Sequence, residues 1–244
     1  ALGFDGIGVW MDKLVACGLE RGIEILQQAH LPVANLAANT TRYTSRDSQE
    51  IEAGIADTIE AICVAERLGT DCLIVCPSVP YGMAGRTMAE TDEVAAAVLR
   101  RLAPVAQEHG VKLAIEPLHP MYCGNYLNTI ADAMRLVNRI AHPSVGLLLD
   151  VYHVWQEENL LDKIRWAGGL ILGIHISDWH EPPRSLNDRM VPGEGIIPWK
   201  PILHAIEATG YQGYYDIEIL SEELWQGDYM DMLRRCQEGF AAAW

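Results

Sequence analysis

Short apolar runs recur along the chain, separated by longer stretches of helical periodicity, and together they predict an α/β protein of the (β/α)8 TIM barrel class. Three observations carry this prediction. The runs are rich in Val, Ile and Leu with little polar alternation, the pattern of parallel strands buried on both faces. They follow one another at roughly 25–40 residues, as strand–helix units do in such a barrel. No Gly/Ser/Pro-rich linker or low-complexity segment divides residues 1–244, so the chain reads as a single barrel domain. A doubly wound open sheet is the alternative, but no G-x-G-x-x-G follows the first run, which weakens a nucleotide-binding reading.

In chain order the expected strands are "DGIGVW" (5–10), "VANLAAN" (33–39), "DCLIVCPS" (71–78), "KLAIEPL" (112–118), "VGLLLD" (145–150), "LILGIHISD" (170–178) and "YYDIEIL" (214–220). Ile51, Ile55, Ile59 and Ile62 repeat at helical spacing after the second run, as do Val94, Val98, Leu102 and Val105 after the third. "GNYLNTIADAMRLV" reads as a turn with Asn128 or Thr129 capping a helix. The last helix is expected to begin near "SEELW" and run close to the C-terminus. The count is seven strands, whereas a barrel of this class closes with eight. An open barrel would expose a strand edge. The expectation is therefore that the first strand and helix are missing from this chain.

Composition limits the function classes. The 244 residues carry 18 basic and 33 acidic side chains, a net charge of −15 that repels nucleic acid and anionic membranes. It also offers no long-range attraction to phosphorylated substrates. No apolar run approaches the roughly 18–20 residues that cross a bilayer, and "ALGFDGIGVW" lacks the basic start and long apolar stretch of a signal peptide. Six cysteines include no C-x-x-C, and Cys72 and Cys76 would share one strand face, so all six are expected to be reduced in a cytoplasmic protein. Assembly into an oligomer is compatible with the sequence, but no motif specifies an interface.

Four strands end in or near an ionisable side chain: Glu116 in "LAIEPL", Asp150 in "LLLD", His175 in "GIHISD" and Glu218 in "YDIEIL". Taken singly, each has a plainer explanation: a rim salt bridge for a Glu, a helix cap for the Asp, a hydrogen-bonded core residue for the His. Taken together, they lie where barrels of this class collect their chemistry. Converging buried carboxylates cost several kcal/mol unless they are paired or bind a cation. One divalent metal ion held by Glu116, Asp150, His175 and Glu218 resolves that cost. Three oxygens and an imidazole suit Mn²⁺, taken as the first choice, with Mg²⁺, Co²⁺ or Zn²⁺ as alternatives.

"LAIEPLHP", "VGLLLDVYHVW", "HISDWHEPPRSLNDRMVPGEGIIPW" and "YYDIEIL" resemble successive signatures of the xylose isomerase-like TIM barrels. The resemblance is strongest to the sugar phosphate isomerase/epimerase group, which holds inosose isomerases, ketose 3-epimerases and hydroxypyruvate isomerases. It spans most of the chain and implies a strand and helix ahead of "GFDGIGVW". It implies the same four metal ligands, with Glu116 and Glu218 doubling as the acid/base pair. His153 is implied as a ligand of a substrate hydroxyl and Arg189 as the support of substrate oxygens.

The implied reaction is isomerisation or epimerisation of a small, unphosphorylated keto-sugar or keto-polyol through proton abstraction beside a carbonyl. A lyase on the same scaffold is the nearest alternative, followed by a non-catalytic sugar-binding subunit. An endonuclease-like member is disfavoured by the charge. Between His175 and Arg189, "WHEPPRSL" matches no single activity. His180 and His119 are candidates for touching substrate. Trp179, with Trp10 and Trp155, is a candidate apolar wall for a sugar ring. Asp178 is expected to orient a loop cation or to cap, and His30, His109, His142 and His204 read as surface groups.

Overall fold

A computed structural model describes residues 2–38, 41–123 and 126–244; the side chain of Cys123, expected as a reduced thiol, lies outside the described residues. The strands are β1 (Ile7–Trp10), β2 (Val33–Ala37), β3 (Cys72–Val75), β4 (Lys112–Ile115), β5 (Val145–Asp150), β6 (Ile171–Ile176), β7 (Asp178–Trp179), β8 (Arg189–Met190) and β9 (Tyr215–Ile217). Seven of them form one parallel sheet in the order β1-β2-β3-β4-β5-β6-β9, while β7 and β8 make a small antiparallel hairpin. The sheet curves into a nearly closed TIM barrel, as the apolar runs predict.

The helices between the strands cover the outer face of the sheet. That spanning Ser48–Leu68 buries Ile55 and Ile62 and is capped by Asp47, whose carboxylate accepts from the Gln49 N–H. That spanning Met88–Glu108 buries Val98 and Leu102 behind a reciprocal cap between Thr87 and Glu90. Thr129, one of the two expected residues, caps Ile130–Ile140 by accepting from the Asp132 N–H. Inside the barrel, Cys72, Ile74, Ala114 and Leu148 fill a layer beneath the strand ends. Cys17, Cys63, Cys72, Cys76 and Cys236 are in the thiol form, with no disulfide among the described residues.

Every expected strand except Val145–Asp150 is shorter than its apolar run, and three boundary differences bear on the site. "LILGIHISD" is broken after Ile176, because Asp178 and Trp179 leave the barrel ladder to pair with Met190 and Arg189. The last strand is three residues long, and Glu218 lies one residue beyond it. The last helix begins at Tyr229 and not near Ser221, because Asp228 caps it by accepting from the Met230 and Asp231 N–H groups. Ser221 instead bridges to Asp188, joining the end of the barrel to the hairpin loop.

Among the described residues, β1 and β9 each have a strand neighbour on one side only. Between their edges lies a cavity of about 700 Å³ walled by Ile7, Val9, Leu14, Ile217 and Ile219. No helix among the described residues is long and apolar enough to cross a membrane.

Candidate metal centre and active site

The strand ladder brings the four expected ligands to one end of the barrel. Glu116 follows β4, Asp150 ends β5, His175 lies in β6 opposite Asp150, and Glu218 follows β9. Asp150 and His175 are flanked by buried aliphatics, and Glu116 by Ile115 and Pro117, while the neighbours of Glu218 are half-buried. One ligand atom from each of the four lies within 4.8 Å of the others. Nδ1 of His175 is 3.4 Å from Glu218 Oε2 and 3.9 Å from Glu116 Oε1. Neither ring nitrogen of His175 has a hydrogen-bond partner, although the residue is only 2% exposed. A buried imidazole with both nitrogens unsatisfied among three carboxylates fits a cation-binding set far better than a packing role. The residues present therefore fit a divalent metal.

Arg189 reaches the same place from β8. Its Nη1 donates to Asp150 Oδ2 at 2.8 Å and to Ser177 Oγ at 3.2 Å, and lies 3.0 Å from Glu218 Oε2. Its Nη2 is 3.2 Å from His153 Nε2, and the guanidinium sits 4.5 Å above the Tyr152 ring. His153 stands one helical turn beyond Asp150, with Nε2 3.4 Å from Asp150 Oδ2 and 4.0 Å from Glu116 Oε1.

The electrostatics separate the two glutamates. Burial, reinforced by the Asp150 and Glu218 charges, pushes Glu116 up to about 8 against the pull of His175. Burial also opposes the charge on Glu218, but Arg189 and His175 overcome that and hold its carboxyl well below the usual range. Burial opposes a charge on His175, yet the Glu218, Asp216 and Glu116 carboxylates raise it to about 10. Burial lowers His153 to about 4 in spite of Asp150.

These groups open onto a cavity of about 400 Å³ whose lining includes Glu116, His153, His175, Arg189 and Glu218. Trp10, Thr41, Cys76, Tyr122, Asn187 and Leu220 complete much of its wall. The larger cavity between β1 and β9 has mainly apolar walls and lacks such a convergent polar set, so the smaller one is the candidate active site. Cys76 donates its thiol to Glu116 Oε2 at 3.2 Å. Tyr122 donates to the Leu186 carbonyl, tying the short helix Pro120–Cys123 to the loop before β8.

Not every candidate reaches this cavity. Trp179 is 2% exposed and packs behind it against His119, Tyr152 and Trp155. His180 points into its own loop, with Nδ1 2.7 Å from the Pro182 carbonyl. Arg184 pairs with Asp188 and Glu223. Asp178 does not orient Arg189. It accepts from the backbone N–H groups of Trp179, Gly193 and Ile197 and from Trp199 Nε1, which fastens the Pro-Gly-Glu-Gly turn beneath the hairpin. Gly193 adopts φ +88°, and a Cβ at Gly195 would lie 2.3 Å from Asp178 Oδ1, so that turn needs both glycines.

Sequence reasoning did not find Tyr122, Asn187 or Cys76. Cys76 and Asn187 come from loops and Tyr122 from a four-residue helix, where no periodicity announces a direction. Asp216 was missed for another reason: it lies in a strand pattern whose sheet partner is set only by closure of the barrel.

The model of the xylose isomerase-like TIM barrel matches residues 1–236 of the chain. A D-psicose 3-epimerase of Enterocloster bolteae is 36% identical over 116 residues, which cover 47% of this chain and 36% of that protein. The 3-dehydro-D-guloside 4-epimerase of Escherichia coli is 26% identical over 96% of this chain and 91% of its own length. Other relatives include an inosose isomerase of Bacillus subtilis and a 3-dehydroshikimate dehydratase of Pseudomonas putida. The chain's matches span 36%, 35% and 47% of the lengths of the epimerase, the dehydratase and the inosose isomerase. Among solved structures, a Sinorhizobium meliloti protein superposes with a TM-score of 0.89 at 32% identity, covering 99% of this chain and 89% of that one. The IOLI protein with a bound zinc atom has a TM-score of 0.85 at 23% identity, covering 99% and 88%, and shares the fold. The chain belongs to the xylose isomerase-like TIM barrel family.

Proposed function

We propose that this chain is a divalent-metal-dependent isomerase or epimerase of a small, unphosphorylated keto-sugar or keto-polyol, inosose-like or ketose-like. The observation that carries the reading is the convergence of Glu116, Asp150, His175 and Glu218 within 4.8 Å, beside a cavity of sugar-like volume. These four residues hold the cation, for which Mn²⁺ is our choice, with Mg²⁺, Co²⁺ and Zn²⁺ compatible with the same donors. When bound, the ion supplies Lewis-acid polarisation of a substrate carbonyl.

The remaining chemistry belongs to the side chains. Glu116 and Glu218 stand just beyond β4 and β9, with two strands between them, so they approach a substrate from different sides. One, ionised, removes and keeps a proton from the carbon beside the carbonyl. The other, protonated, donates its own proton to the opposite face, which inverts that centre and exchanges the protonation states of the pair. If a single carboxylate carries the proton to the neighbouring carbon, the carbonyl migrates and the outcome is isomerisation. His153 and Arg189 bind substrate oxygens and offset negative charge that develops there. The link from Tyr122 to Leu186 holds two segments of the cavity wall together and helps exclude water.

Two observations favour a neutral substrate. The chain carries −15 overall, and the one Arg or Lys side chain among the described lining residues of the cavity, Arg189, is already shared between Asp150 and Glu218. A lyase is the second reading, favoured by the dehydratase relative, whose match covers 91% of this chain. Loss of a β-leaving group from the same enolate would produce it.

The test loads the protein with Mn²⁺ in D₂O and follows keto-inositols, ketohexoses and 3-keto-glucosides by NMR. Deuterium beside the carbonyl together with a new isomer is the expected result. Deuterium with release of water or an aglycone selects the lyase. No exchange with any substrate, in protein shown to hold one metal ion, refutes the isomerase assignment for this panel.

A further inference from the structure

One half-buried carboxylate close to the site has no part in the reaction above. Asp216 lies two residues before Glu218 and faces the same way, one layer deeper in the barrel, directly opposite His175 in the β6–β9 ladder. Its side chain is 18% exposed, and its Oδ2 lies 3.5 Å from His175 Nε2. The other ring nitrogen, Nδ1, is the one that faces Glu116 and Glu218. The two nitrogens of His175 thus look at two different sets of carboxylates.

We propose that Asp216 is the positioning residue of the metal centre: it accepts the Nε2–H of His175 and thereby turns Nδ1, lone pair outward, toward the ion.

The surroundings of Asp216 are built for this role. Asn35, on β2 across the barrel, donates Nδ2–H to Asp216 Oδ2 at 2.8 Å and fixes the carboxylate. Gly8, on β1, leaves the space: a Cβ there would lie 2.0 Å from the same oxygen. Three strands therefore contribute to placing one carboxylate, at a depth where an unshared charge costs several kcal/mol. A purely structural partner for Asn35 would need only an amide or hydroxyl. The 3.5 Å separation exceeds an ordinary N–H···O distance by about half an ångström, which a small tilt of the imidazole removes. Neither nitrogen of His175 has a hydrogen-bond partner, so that tilt breaks no existing hydrogen bond. A carboxylate behind a ligating imidazole fixes its tautomer and raises its basicity, and its loss typically weakens metal binding by about 10–100-fold.

The proposal rests on the metal reading of the site, and the test separates the two. Zn²⁺ alone is titrated into the full chain against a chromophoric chelator, for the wild type, Asp216→Ala and Asp216→Asn. In parallel, the ring nitrogens of Zn²⁺-loaded, ¹⁵N-histidine-labelled wild type are read by NMR, with His175 assigned by the signal lost in His175→Asn. The expected result is one ion in the wild type, Nδ1 coordinated, and Nε2 bearing a slowly exchanging proton. Affinity should fall about 10–100-fold in Asp216→Ala and less in Asp216→Asn, whose carbonyl can still accept. A wild type that binds no Zn²⁺ removes the metal reading itself and the proposal with it. A wild type that binds while both variants bind equally tightly overturns the role of Asp216 alone. So does coordination through Nε2, or an Nε2–H that exchanges freely. If Asp216→Ala does not fold, the Asp216→Asn titration and the wild-type ring signals decide the question.

Discussion

Replacing Asp178 with Ala should cost the fold more than its two-carbon size implies. The carboxylate is fully buried and accepts four hydrogen bonds at 2.8–3.0 Å, from the backbone of Trp179, Gly193 and Ile197 and from the Trp199 indole. Truncation leaves all four donors facing a small void. A buried donor without a partner costs about 1–3 kcal/mol, so even the lower end of that range places the loss near 4 kcal/mol. For a chain of this length 1 kcal/mol corresponds to roughly 2–4 °C in Tm, and the variant should melt about 8–16 °C lower. Asp178→Asn keeps one accepting oxygen but turns an NH₂ group toward the remaining donors, so its loss should be comparable or only slightly smaller. Urea unfolding of metal-free protein followed by far-UV circular dichroism, with a parallel thermal scan, measures both. Because none of the four proposed metal ligands is among the hydrogen-bond partners of Asp178, metal content in the folded variant should stay near one ion while activity falls through the misplaced Arg189 loop. A loss under 1 kcal/mol for Asp178→Ala would refute the assignment of this residue as the anchor of the turn.

Replacing His175 with Ala should abolish tight metal binding, read by elemental analysis after dialysis, and should reduce activity with it. Unchanged metal content would remove the proposed centre. Arg135→Met should destabilise the fold by about 1–3 kcal/mol, because Asp92, with a side chain 3% exposed, then keeps the Tyr126 hydroxyl as its one side-chain partner among the described residues. A chemical-denaturation midpoint equal to wild type would show that this pair is not load-sharing.

The metal-free protein should lose stability as pH rises from about 6.5 to 8. Glu116 and His175, raised from 4.5 to about 8 and from 6.5 to about 10, keep protons in the folded state that the unfolded chain has released. Their contribution is complete below the ordinary values and fades as pH climbs through the raised ones. His153, lowered from 6.5 to about 4, acts with the opposite sign, but only below about 6.5. Thermal scans across this window, with and without metal, should show a stabilisation by metal that grows with pH. A stabilisation independent of pH would contradict these proton assignments.

Much of this molecule was legible in the sequence because burial writes itself into local patterns. Parallel strands covered on both faces become aliphatic runs, and an ionisable residue that interrupts such a run is conspicuous. Glu116, Asp150, His175 and Glu218 could be named for that reason, and the seven barrel strands could be counted. Thr129 and its helix were readable because a cap satisfies backbone groups only a few residues away. The tertiary structure decided whatever depends on which segments meet. Asp178 and Arg189 both follow β6 in polar sequence, yet one turns to the Pro-Gly-Glu-Gly turn and the other reaches the candidate metal centre, a difference set by the pairing of β7 with β8. His180 and Trp179 were plausible on position alone, and the direction of their side chains excluded them from the cavity. Asp216 looked like one more polar residue in a short strand until closure of the barrel set it against Asn35, Gly8 and His175. Hydrophobic periodicity records whether a residue is buried; it carries no record of its neighbours from distant strands, and those neighbours determine what a buried charge can do.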